Sequence, residues 1–280
     1  MLRILIGGYA WCYLVGRIAA MISVTNFPDR QFDPTGPVGL LSTPLPAAGV
    51  WAVTAAAVVA GGAFVAGYRY RVAGPAFAVL LLWVLAYRNS WGMVFHTENL
   101  IVLHVGVLGL APSAADTWSL DARTRTAPQD HGRYGWPIRL MCILTVTTYV
   151  LAGVTKLSIS GLDWITSDTL RGLVAHDNLR KIELGDIHSP IGAALVSQGW
   201  LFPPLAAGSM ALELGAPLAL LGRRAGKAWA LGAWSFHTGV LGVMAIMFHY
   251  QVFAFAFATF FDVERLGDRI LARWRARTRR

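Results

Sequence analysis

Ionisable residues at the ends of long apolar runs, or inside them, are where this sequence could do chemistry. His96 and Glu98 open one run, in Phe95-His96-Thr97-Glu98-Asn99-Leu100, and Lys156 closes the next, in Leu151-Ala152-Gly153-Val154-Thr155-Lys156-Leu157. His249 opens the last run, while Glu213, His104 and His237 fall within runs. Charge is costly in lipid, so each of these is a functional candidate by default. A lysine turned into a helical bundle loses its hydration, and its neutral amine is a usable general base. The same lysine turned outward simply snorkels to the headgroups. His96 and Glu98, two residues apart, do not share a helical face, and an interfacial pair at the helix start is the plainer reading of them. Glu213, mid-run in Ala211-Leu212-Glu213-Leu214, must be paired or protonated, with His104 and His237 as candidate partners. A buried structural hydrogen bond and a proton relay are its two possible roles. His96, His104, His237 and His249 show no HxxxH or HxxE spacing, so no metal is expected.

The elements that must position these residues are set by composition. Of the 280 residues 55% are hydrophobic and only 14% charged, with a mean hydropathy of +0.51. Soluble domains carry about 25% charged residues, so this is the composition of an integral membrane protein. The formal net charge of +9 is concentrated in loops and tail, which suits membrane lipids with an anionic surface. With the charge spread over short loops and tail of a membrane-type chain, no nucleic-acid partner is expected. Cys12 and Cys142 both lie in apolar runs and build neither a disulfide framework nor a metal pair. The first run has Arg3 ahead of Ile4-Leu5-Ile6 but no early small-x-small cleavage site, and it carries Arg17; it reads as a retained span.

A span needs about 20 mostly apolar residues. The candidates are residues 4–24, 47–68, 73–88, 94–112, 136–157, 201–221, 227–246 and 249–263. The expected fold is therefore all-α: a polytopic integral membrane helical bundle of about eight transmembrane helices, within residues 1–264. Alternating from a cytoplasmic N-terminus puts Arg3, Arg69, Arg71, Arg123, Arg125, Arg133, Arg139, Arg223, Arg224 and Lys227 on one side. Seven arginines of the basic tail 265–280 join them, making 17 of the 24 basic residues. Both termini are then cytoplasmic, in a multi-pass protein of the cell membrane. Outside remain the Pro- and Gly-rich stretch 25–46 and the longer loop 158–200, which reads as an interfacial helix or a re-entrant lid. Trp118, Trp136, Trp164 and Trp200 fall at expected interfaces, and Phe253-Ala254-Phe255-Ala256-Phe257 is ordinary for a span. This topology brings His96, Glu98, Lys156 and His249 to the outer end of their helices.

These residues also resemble a known family. Phe95-His96-Thr97-Glu98-Asn99-Leu100, Trp118-Ser119-Leu120-Asp121, the segment ending in Lys156-Leu157 followed by Asp163-Trp164, Glu213-Leu214-Gly215-Ala216-Pro217-Leu218 and Ser235-Phe236-His237 are similar, in order and spacing, to the HTTM domain. That is the transmembrane domain shared with vitamin K-dependent gamma-glutamyl carboxylase. The resemblance covers about residues 90–262 and is weaker toward the N-terminus. It implies that Lys156 matches the base that deprotonates a reduced quinone; oxygen then adds, and the strong base so formed takes a proton from glutamate before carbon dioxide attacks. It implies that His96 stabilises the intermediate that loses the glutamate proton, and that the site faces outward, as the charge count also requires. Where the carboxylase has two lysines this chain has Thr155-Lys156, and it ends soon after its last span without the carboxylase's large extracytoplasmic domain. A small or lipidic substrate is therefore expected in place of a protein.

The expectation is a quinol-dependent, carboxylase-like or oxidative modifying enzyme. Lys156, His96 and His249 are its catalytic residues, Glu98 and Trp164 lie against a reduced quinone such as menaquinol, and Glu213, His104 and His237 form a polar core. Two alternatives stand beside it. One is a proton-coupled transporter or channel-like module using Glu213, His104 and His237, although no repeats or Gly/Pro-broken helix pairs mark a transport site. The other is a non-catalytic scaffold or immunity-type protein in which these residues merely pack.

Overall fold

The computed structural model describes residues 1–92, 94, 96–124, 132–265 and 267, apart from the side chain of His96, and every regular element among them is helical. The α-helices are α1 (Gly8–Gly16), α2 (Ile18–Ile22), α3 (Ala47–Ala66), α4 (Tyr70–Asn89), α5 (Asn99–Gly109), α6 (Gly132–Ser160), α7 (Asp163–Thr166), α8 (Thr169–Glu183), α9 (Pro190–Val196), α10 (Phe202–Leu214), α11 (Arg223–Met244) and α12 (His249–Val252). Phe95, Arg125 and the basic tail from Asp268 onward lie outside the described residues.

Each apolar run forms helix, but only four of the eight form one long helix. Among the described residues α3, α4 and α6 are long and apolar enough to cross a membrane, and α1 with α2 makes a fourth if the 61° bend between them is one broken span. Helix α11 covers the run 227–246 almost entirely in 22 unbroken residues, and the remaining runs are interrupted. Helix α5 has 11 residues and stops before Pro112. The run 201–221 ends as α-helix at Leu214, ahead of Pro217, and passes into a 3-10 turn, Ala216–Leu220. The run 249–263 is broken at Ala254, whose left-handed φ of 62° no continuous helix tolerates, so α12 is followed by a 3-10 stretch, Phe255–Phe260. These are membrane-type helices, three of them, or four with the bent pair, long and apolar enough to span on their own among the described residues.

The chain divides into two compact units: Met1–Met141 with the described residues from Asp262 on, and Cys142–Phe261. In the first, α3 turns tightly into α4 through Gly67 (φ 64°), where a Cβ would meet Ser119 and the Arg3 guanidinium within 3 Å. Arg3, 1% exposed, donates to the carbonyls of Phe64, Val65, Ala114 and Trp118, and so satisfies acceptors that the end of α3 leaves open. Helices α4 and α5 cross backbone to backbone, because a Cβ on Gly74 would lie 2.6 Å from the Gly109 carbonyl oxygen. Small residues at such crossings are how membrane helices approach closely. The stretch 25–46 is largely irregular, as expected, with short 3-10 turns at Asp29–Gln31 and Gly36–Leu40, and it folds over the ends of α3 and α4. There Val24, Val38, Val50 and Tyr87 form an apolar cluster, and Tyr87 Oη accepts from the Leu45 N–H at 3.0 Å.

In the second unit, the segment 158–200 packs down onto α10 and α11. Trp164 sits against Ala206 and Met210 of α10. At the far end, α11 finishes with Ala245 in the left-handed region, and its open carbonyls are taken by side chains of the segment. Asn178 Nδ2 donates to Val243 O at 3.2 Å, Lys181 Nζ to Met244 O at 2.5 Å, and Ser189 Oγ to Gly242 O. Ser189 also caps α9 by accepting from the Gly192 N–H. Gly192 is obligatory there, since a Cβ would fall 1.9 Å from Val243 O.

Candidate functional site

Three positions on one face of α6 build the site. Tyr149, Gly153 and Lys156 are four and three residues apart, so their side chains stack along a single stripe. Gly153 comes first in the logic. A Cβ on it would lie 2.9 Å from Leu214 Cδ2 and 3.0 Å from Glu213 Cβ, so the bare Cα is what lets α10 reach α6. Nearly one turn further on, the approach delivers Glu213 to Lys156: Nζ donates to Oε1 at 2.5 Å, with the lysine 23% and the glutamate 4% exposed. Tyr149 serves the third partner, α11, sharing a 2.7 Å hydrogen bond with His237 Nε2. The Tyr149 ring stands edge-on to Trp229, centroids 4.9 Å apart, and the Trp229 indole donates to Leu212 O of α10. One stripe thus ties α6 to both neighbours.

Lys156 lies at the wall of a cavity of about 580 Å³. Its ammonium is 4.9 Å from the centre of the Trp164 ring and 5.8 Å from that of Phe236, so aromatic faces flank it. Leucine, valine, phenylalanine and methionine side chains from α8, α10 and α11 supply most of the rest of the wall, and Ser209 and Ser235 supply hydroxyls. Trp164 is held in place by its indole N–H, 3.3 Å from Ser209 Oγ. Helix α8 contributes Leu170, Leu173 and Val174, so the segment 158–200 is a roof to the cavity as well as a cap to α11. Glu213 is not part of the cavity wall; it stands behind Lys156, and its Oε2 has no hydrogen-bond partner among the described residues.

The expected site residues are distributed as follows. Lys156 and Trp164 share the cavity. His249 opens α12 and is partly buried, but does not line that cavity. His96 begins a 3-10 turn in the first unit, and its side chain lies outside the described residues. Glu98, 3% exposed, belongs to an ionic cluster of the first unit: Tyr13 Oη donates to it at 2.5 Å, with Arg88 at 3.4 Å and Arg17 at 3.7 Å. Glu213 does not pair with His104 or His237. Lys156 is its partner, His237 bonds Tyr149, and His104 Nε2 meets Met141 O at 3.2 Å. Glu213 is also not mid-helix, since α10 ends one residue later. Lys156 is not at the very end of its helix, since α6 runs on to Ser160 and α7 packs against α10 beyond it. No group of three or more His, Cys, Asp or Glu among the described residues could hold a metal ion.

Gly153, Tyr149, Phe236 and Ser209 were not singled out from the sequence. The signal available was the 149–153–156 spacing, a glycine and two polar groups on one helical face.

A family model, the HTTM domain, matches residues 1–264 of the chain. Comparison with curated proteins and with solved structures gave no match.

Proposed function

The chain belongs to the HTTM domain family, and from that premise we propose that it is a multi-pass enzyme of the cell membrane with Lys156 as base at an outward-facing site. A reduced quinone such as menaquinol is its cofactor and a small or lipidic molecule its substrate. One observation carries this reading: Lys156 lines an apolar cavity with aromatic walls, its ammonium 4.9 Å from the centre of the Trp164 ring. Ligand cavities run to about 300–1,000 Å³ and are mostly apolar with a few placed polar groups, and this one conforms at about 580 Å³. The fit to a quinone rests on the same residues. Trp164 and Phe236 would flank a planar ring, Lys156 would meet one of its oxygens, and Ser209 and Ser235 would offer further hydrogen bonds. A reduced quinone, when bound, supplies an acidic O–H and reducing equivalents. The eight-span topology, with both termini cytoplasmic, rests on the distribution of basic residues.

The test is menaquinol-dependent turnover by purified protein in nanodiscs, wild type against Lys156→Ala. General-base catalysis contributes about 10²- to 10⁴-fold, and a loss of that size is expected. A folded Lys156→Ala protein with full quinol-dependent activity would sink the reading. Proton flux in liposomes that vanishes in Glu213→Gln yet survives Lys156→Ala would favour a transporter instead.

A further inference from the structure

The Lys156–Glu213 contact changes what kind of base the site can hold. An ammonium engaged at 2.5 Å by a buried carboxylate carries no lone pair, so Lys156 alone cannot take a proton. The two groups together can. Lys156 lines the cavity; Glu213 stands behind it, 4% exposed, with Oε2 unpartnered among the described residues. Among the described residues, Tyr149 on α6 feels the charge of Glu213 and His237 on α11 that of Lys156, and these two are hydrogen-bonded to each other.

We propose that Lys156 and Glu213 act as one proton acceptor, in which Lys156 collects the proton at the cavity wall and Glu213 keeps it. This rests on the reading of the cavity as a site for an uncharged lipophile with an acidic O–H. Lys156 passes one ammonium proton to Glu213 Oε1, forming an O–H bond and freeing the nitrogen lone pair. That lone pair forms a new N–H bond with the ligand proton, and the electron pair of the broken O–H bond stays on the ligand oxygen. The pair goes from neutral overall to a single positive charge, opposite the anion it has just made. No oxidant or reductant enters this step. Glu213 acts through Lys156 and never touches the ligand, so it is a positioning residue whose carboxyl stores the proton.

The experiment uses full-length protein in nanodiscs with menaquinol as the probe. Binding and ring deprotonation are read from ultraviolet absorbance, and the carboxyl stretch from infrared difference spectra in H2O and D2O. Wild type should develop a protonated-carboxyl band, shifted in D2O, in proportion to the quinolate formed. Glu213→Gln should bind menaquinol, lack the band, and form quinolate about 10²-fold less or more slowly. Glu213→Asp, which keeps the carboxyl, should restore a band and part of the quinolate, an outcome a merely structural role does not produce. Quinolate in wild type with no carboxyl band would overturn this inference and leave the quinol site standing. No menaquinol binding by folded wild type would overturn both.

Discussion

Gly153 is the residue whose substitution tests the site most directly. Replacing it with alanine puts a Cβ at 2.9 Å from Leu214 Cδ2 and 3.0 Å from both Glu213 Cβ and Leu214 Cγ. Carbon atoms are at their optimum at about 3.5–4.0 Å, so the interface must open by roughly half an ångström or more. The leucine tip can turn aside, but Glu213 Cβ cannot move without its backbone. Overpacking of this kind costs about 1–3 kcal/mol, and Gly153→Val should sit at or above the top of that range. The same retreat draws Glu213 away from Lys156, so the ion pair lengthens as the helices part. Thermal unfolding in nanodiscs can be followed with a thiol-reactive dye at Cys142, which lies on α6, after Cys12→Ser removes the exposed thiol. Midpoints should fall in the order wild type, Gly153→Ala, Gly153→Val. Equal midpoints for all three would refute the claim that close approach at Gly153 holds α10 against α6.

Other expectations follow from the same contacts. Lys156→Met alone should leave Glu213 buried without its partner and cost about 3–5 kcal/mol of stability, whereas Lys156→Met with Glu213→Leu should recover most of it; a double-mutant cycle with no coupling would contradict the pair. Lys181→Met or Asn178→Ala should uncap α11 and speed proteolysis within 158–200, by about 1–3 kcal/mol of lost local stability, and unchanged cleavage would count against the clasp. Burial works against the charge of Asp177, but hydrogen bonds from Lys181 and Arg180 prevail and hold its carboxyl below the ordinary aspartate range. Its contribution is therefore present in full above about pH 3.9, the unfolded value, and is lost only as pH falls below that; Asp177→Asn should flatten this acid limb of hydrogen exchange in α8.

Helix positions were readable in the sequence because hydrophobic runs report burial in lipid directly, and α3, α4 and α6 fall close to the expected 47–68, 73–88 and 136–157. Run length misled where the backbone breaks inside an apolar stretch. Pro217 was a visible stop for α10, while nothing about Ala254 announces a left-handed φ. The segment 158–200 was legible in the sequence only as an interfacial helix or a re-entrant lid. What docks it, side chains of Asn178, Lys181 and Ser189 on the carbonyls of α11, depends on where α11 ends and could not be seen from residue types. Lys156 and Trp164 were each flagged, and both line the cavity. Residue types alone offer the histidines within spans as partners for Glu213 and place Lys156 at the outer end of its helix, whereas the structure pairs the two with each other. The continuation of α6 to Ser160 and the dip of α7 onto α10 set that lysine deeper than run length implied.

The depth of Lys156 also explains why the segment around it has the composition it does. A lysine at a helix end needs only a long stem to reach water. A lysine one turn inside, roofed by α8, needs a counter-charge, and that counter-charge must come from another helix, since α6 itself carries no acidic residue. Bringing a carboxylate in from α10 requires an interface closer than ordinary side chains allow, which is met by Gly153 on the lysine's own face. Tyr149, one turn before the glycine, then fastens the face to α11 through His237. Tyr149, Gly153 and Lys156 are thus three parts of one requirement, and a variant that moves the glycine one position along α6 should lose the ion pair even though its composition is unchanged.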